Sequence, residues 1–123
     1  MNKLEFGLEM QRRTKRFAIR IVKFFGTLRR TDEGRVLGRQ LLRSGTSVAA
    51  NYRAACRSKS QADFISKLGT VVEETDESLL WLELLESAEI CSAPQVSAPK
   101  AEADELVRIF QTSLNTAKSN AGR

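Results

Sequence analysis

The sequence predicts an all-α protein, an antiparallel up-down-up-down four-helix bundle. Three observations predict it. Apolar residues recur every three or four positions in four separate segments, no segment alternates as a strand would, and the breaks between segments are mostly short. A chain of 123 residues, 41% hydrophobic and 28% charged, suits one domain over 1–123 that buries its own core.

Phe17, Ile21, Phe24 and Leu28 fall at i, i+4, i+7 and i+11, one face of a first helix over about 10–29. "RTDEG", residues 30–34, breaks the pattern, with Thr31 or Asp32 as the next cap and Glu33 in the first turn. Leu37, Leu41, Ser44, Val48, Asn51 or Tyr52, and Ala55 carry a second helix over about 35–58. Ser60 caps a third, about 61–91, with Asp63 three residues on in a capping-box pattern. Phe64, Leu68, Val71, Thr75, Leu79 and Leu82 mark its buried side. "CSAPQVSAPK" is the one linker-like stretch, and Pro99 lies near the start of a fourth helix over about 99–117. Glu102, Asp104 and Glu105 suit the positive N-terminal end of that helix. Ala103, Leu106, Phe110, Leu114 and Ala117 form its buried face, and both termini, including the tail "SNAGR", are expected to fray.

The stretch "RSGTSVAANYRAACR", residues 43–57, is unusual for a helix interior. Ser44, Gly45, Thr46, Ser47 and Asn51 all disfavour one, through backbone entropy, restricted χ1 or competing hydrogen bonds. At about 100° per residue, Leu37, Leu41, Ser44, Val48, Asn51 and Ala55 share one sector about 80° wide. Small residues there let a neighbouring helix come close, and Ser44 or Asn51 can bond a facing polar group, with Thr75 and Ser78 as candidate partners.

Charge divides the chain. Residues 1–59 carry 15 Lys or Arg against 4 Asp or Glu, and residues 60–123 carry 5 against 11. Such a division suits self-association, an acidic partner such as RNA or DNA, or neutralisation between helices of one subunit. Arg35, Arg39, Arg43, Arg53 and Arg57 fall within about 80° of one another, opposite the core sector of the second helix. Arg12, Arg16, Arg20 and Lys23 cluster likewise on the first helix. A solvated face normally mixes signs. These nine positions hold no acid, and eight of them are Arg, whose planar fork suits phosphates and carboxylates.

The third helix points to assembly. Beyond its core stripe, Leu80, Trp81, Leu84 and Leu85 spread over a second sector, so its latter half is apolar nearly all round. A monomer of this size leaves part of that surface wet, and such a patch marks an interface, here with Trp81 as anchor. The acids at 73–77 lie ready to meet basic helices of another subunit.

"QLLRSGTSVAANYR" on the second helix, then "DFISKL", then an E-x-x-E followed by W-L-E-L-L on the third together resemble the signature of the 23S rRNA intervening-sequence protein family. The resemblance runs from Gln40 to Leu85, and the flanking helices fit in length and place. It implies a four-helix bundle that assembles as a homopentamer. A related group, the accessory variability proteins of diversity-generating retroelements, is similar in fold and basic surface and works with nucleic acid. This chain departs from the pattern at Ala54, where the family usually has Glu, and at Glu73 and Asp76, where relatives are often basic. Both changes sharpen the charge division and leave the first two helices as the nucleic-acid candidates.

Catalysis has little to stand on. The chain has no histidine, so neither a Ser-His nor a Cys-His pair can be built, and the commonest metal ligand is missing. Glu74 and Glu77 share a helix, yet the facing helices offer no matching carboxylate and histidine set. "SGTS" lacks the frame of a phosphate-binding loop. No enzyme activity, metal or cofactor is therefore expected. Cys56 and Cys91, without CxxC spacing, are expected as core thiols in a reducing cytoplasm. The N-terminal "MNKLEFGLEMQRR" lacks a signal-peptide h-region, and no apolar run is long enough for a membrane span. Two partner classes remain for the arginine face: RNA or DNA held through phosphates without base readout, or an acidic protein docking on a scaffold.

Overall fold

Asn2, Thr31, Ser60 and Ser92 each stand in extended backbone immediately before a helix. Each side chain accepts a hydrogen bond from the backbone N–H three residues on, at 2.8, 3.0, 3.0 and 3.3 Å respectively. The four caps satisfy donors that helix N-termini leave open. They start the four helices of the computed structural model, which describes residues 1–122: α1 (Lys3–Thr27), α2 (Asp32–Cys56), α3 (Gln61–Ser87) and α4 (Ala93–Ala121).

Cross-helix contacts make every neighbouring pair antiparallel. In α2, a Cβ placed on Gly45 would lie 3.0 Å from Ile21 of α1, and one on Gly38 would meet Phe25 and Leu28. Ser44 and Ser78 tie α2 to α3, Glu86 and Lys100 tie α3 to α4 at one end, and Gln61 donates to the Ala117 carbonyl at the other. Arg13 and Thr27 of α1 meet Glu102 and Gln95 of α4. The backbones of α1 and α3, and those of α2 and α4, do not come close, so these pairs lie on the diagonals. The predicted four-helix bundle is present.

The core runs the length of the bundle. Phe17, Ile21, Leu41, Val48, Leu68, Val71, Leu82, Leu106 and Phe110 are fully buried, and the rings of Tyr52 and Phe110 meet at 5.0 Å. The small polar stretch of α2 lies inside it. Ser44 and Ser78, both wholly buried, share a 2.8 Å hydrogen bond. Thr75 turns back onto its own helix, donating to the Val71 carbonyl, and Asn51 donates to the carbonyl of Ser47. Ser78 is thus the facing partner, and Thr75 is not.

The boundaries differ from expectation at both ends of the chain. α1 begins seven residues earlier than the 10–29 pattern indicated, at Lys3, because Asn2 supplies the cap and Phe6 and Met10 extend the buried face. α4 begins at Ala93, and "CSAPQVSAPK" is a helix start rather than a linker. Ser92 and Gln95 form a capping box and Pro94 occupies the first turn, where its missing N–H is harmless. Pro99 sits within the helix and is buried against the core. Glu102, Asp104 and Glu105 lie well past the first turn, which holds no acid. The tail continues as helix through Ala121, while Arg123 lies outside the described residues. α3 stops at Ser87, four residues short of 91. Glu89 takes a left-handed conformation (φ 60°), and the N–H groups of Ile90 and Cys91 fold back to the Leu85 carbonyl.

The two thiols also part. Cys91 is buried, but Cys56 is exposed at the end of α2, contrary to the expectation that both lie in the core. Burial, helped by nearby Glu86, pushes the Cys91 thiol above the usual range and favours its neutral form. Because the thiolate is the nucleophile, Ellman's reagent should label Cys56 in the native chain and reach Cys91 only in denaturant. Two equally fast thiols in native buffer would contradict this.

Candidate nucleic-acid interface

All nine predicted cations are exposed. Four of them meet acids. Arg12 and Arg16 share Glu9 at 3.2 and 3.6 Å, and Arg35 lies 3.7 Å from Asp32 one turn away. These are exposed pairs, each worth at most about 1 kcal/mol. Arg43 reaches across to α3, meeting Glu74 at 3.2 Å and Glu77 at 3.3 Å. It is a bridge between helices as much as a surface charge. Arg20, Lys23, Arg39, Arg53 and Arg57 have no ion pair among the described residues.

α1 and α2 are antiparallel neighbours, so the five unpaired cations stand on two adjacent outer faces. The best-held arginine of the molecule is one that helical spacing did not single out. Arg13 is only 21% exposed, and its fork donates to both oxygens of Glu102 at 2.8 and 2.7 Å, with Glu105 at 3.1 Å. Glu102 is the main reason that its guanidinium is held even further above the ordinary range. Arg13 clasps α1 to α4 and is taken up by that role. Its acids sit 89 residues away in the chain, where single-helix spacing cannot find them.

The outer face of α3 has the opposite sign. Glu73, Asp76 and Glu83 are exposed there without an ion pair among the described residues. Between them run Leu80 and Leu84, 46% and 38% exposed, with Trp81 half-buried beside them. The indole Nε1 of Trp81 is shielded and has no hydrogen-bond partner among the described residues. Leu85, expected on this surface, is wholly buried. It continues the stripe Val71, Thr75, Ser78 and Leu82 into the core, so it cannot serve as a surface contact. An apolar set that periodicity missed lies on α1, where Leu8, Ile19 and Val22 are 45%, 46% and 50% exposed.

No helix is long and apolar enough to cross a membrane, and no cluster of His, Cys, Asp or Glu suited to a metal ion occurs among the described residues.

Four antiparallel helices around one core place the chain among the small all-helical four-helix-bundle proteins. The chain is a member of the 23S rRNA-intervening sequence protein family, whose model matches residues 7–112. Among solved structures it is similar to a protein of unknown function from the S23 ribosomal protein family of Bacteroides thetaiotaomicron. The two share 34% identity and a TM-score of 0.78, over 85% of this chain and 96% of that one. No curated protein matches the chain.

Proposed function

We propose that the protein is a non-enzymatic homo-oligomer that binds RNA or DNA through phosphates, without reading bases. One observation carries the proposal: Arg20, Lys23, Arg39, Arg53 and Arg57 are exposed on adjacent helices without an ion-paired acid among the described residues. Unpaired guanidinium groups on rigid helices suit the phosphate backbone, and no aromatic side chain stands exposed beside them as a stacking platform. Tyr52, the one candidate, is buried against Phe110.

Assembly is read from the two apolar faces. That of α1 is rimmed by cations and that of α3 by acids, so pairing either face with itself would oppose like charges. Pairing α1 of one copy with α3 of the next joins apolar to apolar and basic to acidic, a head-to-tail contact that generates a ring when it closes. A closed ring, five-membered by family resemblance, would bring the arginines of successive copies into one assembly. Repeating the same weak contact multiplies avidity wherever several subunits reach one strand.

Salt dependence tests the proposal. Replacing Arg39, Arg53 and Arg57 together by Gln keeps helix propensity and a polar surface while removing charge. Every phosphate left without its cation should lower the log–log salt slope by about 0.7–0.9, so the triple variant flattens it by about two units or more. Arg43 is left intact because it also joins α2 to α3. An unchanged slope would move the phosphate-binding surface to Arg20 and Lys23. Absence of binding to any duplex or single strand at low salt would leave the acidic-protein reading of the same face.

A further inference from the structure

At the end of the bundle where α1 begins and α4 finishes, the two helices diverge. The bonds from Arg13 and Thr27 hold α1 to the first half of α4, and no hydrogen bond joins them beyond it among the described residues. The result is an open cleft of about 1240 Å³. This exceeds the usual range for small-molecule sites, about 300–1,000 Å³. Its walls are mostly apolar, with Phe6, Tyr52, Phe64, Leu68 and Ile109 beside uncharged polar side chains such as Gln11 and Thr112. Among the described residues its charged lining is Lys3, Lys59 and Arg108, without an acid. Arg108 is partly offset by Asp104 at 3.0 Å, whereas Lys3 and Lys59 have no ion pair among the described residues.

A second observation lies within the cleft. Tyr52 is 3% exposed and lines the cleft, yet its hydroxyl finds no oxygen or nitrogen partner among the described residues. The Cys56 thiol lies beside the hydroxyl as a hydrogen-bond partner. Sulfur is a weak acceptor, so the phenol can still turn to a ligand oxygen. A large, mostly apolar cleft with a cationic rim and a weakly engaged donor suits one kind of small molecule: apolar along its length and negative at one end.

We infer that this cleft binds a single-chain anionic amphiphile of the fatty-acid type, its alkyl chain among Phe6, Phe64, Leu68 and Ile109 and its carboxylate at the Lys3–Lys59 rim. The inference stands apart from the nucleic-acid reading, because none of the unpaired cations of the α1 and α2 outer faces lines the cleft.

Calorimetric titration of the full-length protein with decanoate and dodecanoate, below their micellar concentrations, is the test. Binding should saturate near one molecule per chain and tighten about fourfold for each added methylene. Dodecanol and dodecyl maltoside, which lack the charge, should bind at least several-fold more weakly than dodecanoate. Lys3→Gln with Lys59→Gln should weaken dodecanoate about three- to tenfold. Thr112→Trp, at an exposed position on the wall, should narrow the cleft and weaken binding without loss of helix signal. Equal affinity for the neutral ligands, or binding left unchanged by Thr112→Trp, overturns the inference. So does an absence of saturable binding combined with co-sedimentation on phosphatidylglycerol vesicles, which would indicate a lipid surface instead. Binding seen only after dilution to monomers would show that a second copy of the chain occupies the cleft.

Discussion

Gly45→Leu is expected to lower the unfolding free energy by about 3 kcal/mol, at the upper end of what overpacking a core usually costs. A Cβ at Gly45 alone would lie 3.0 Å from both Cγ atoms of Ile21 and 3.2 Å from its Cβ. Ile21 is fully buried and branched at Cβ, so it has no free rotamer into which to retreat. Leu adds three more carbons to that contact, and α1 must move away from α2 along a seam that also holds Gly38 against Phe25. The substitution gains about 1 kcal/mol of helix propensity, which offsets only part of the strain. Gly69 of α3 supplies the control, since a Cβ there meets nothing within 4 Å. Gly69→Ala should therefore raise stability by about 0.5–1 kcal/mol. Urea unfolding followed by circular dichroism, at one fixed protein concentration, compares the two. A Gly45→Leu chain as stable as its parent would show that the close approach of α1 and α2 is not required.

That seam explains much of what the sequence made legible. Ser44 is a poor helix former, yet it falls on the same sector as Leu41 and Val48, with Gly45 beside that sector's edge. A small residue on a core sector has a packing reason, and both residues are indeed buried at a helix–helix contact. The caps at Thr31 and Ser60 were legible for a similar reason, because cap chemistry is local. What escaped were buried polar residues that interrupt an apolar stripe, and a cap overshadowed by a later proline. Thr14 is wholly buried, donating to the Met10 carbonyl, and as a polar residue it interrupted the apolar stripe that would have extended α1 toward Phe6. Ser78 had the same effect on α3. Only when it is counted as core, through its bond to Ser44, does the stripe lead on to Leu85. Pro99 drew the start of α4 away from the true signal at Ser92 and Gln95.

The candidate site divides along the same line. Periodicity placed all nine cations on outer faces, where the structure also has them. It could not tell Arg39, which stands free of acids among the described residues, from Arg43, whose carboxylates lie on another helix. Nor could it show that Ile19 and Val22 give α1 an exposed apolar face of its own, because a stripe search stops at the core side. The proposed pairing of that face with α3 of another copy rests on α1 and α3 lying on a diagonal, which no single helix reveals.

Head-to-tail assembly has a consequence that self-pairing of one face does not share. Ile19→Glu with Val22→Glu blocks the α1 face and leaves α3 intact, while Leu80→Glu with Leu84→Glu does the reverse. All four side chains are between 38% and 50% exposed in the single chain, so both variants should keep their fold. Each introduces charges into an apolar contact, which should weaken it by about 3 kcal/mol or more, over a hundredfold in affinity. Each variant alone should therefore run as a monomer in light scattering at tens of micromolar. Mixed in equal amounts they still present one working α1 face and one working α3 face, so the mixture should form a one-to-one dimer. The dimer has no further compatible face and cannot grow. A parent chain that is already monomeric at this concentration would remove the assembly reading. A mixture that stays monomeric would show that the two faces do not meet each other, and Trp81, half-buried in its own subunit, would then be a core residue alone.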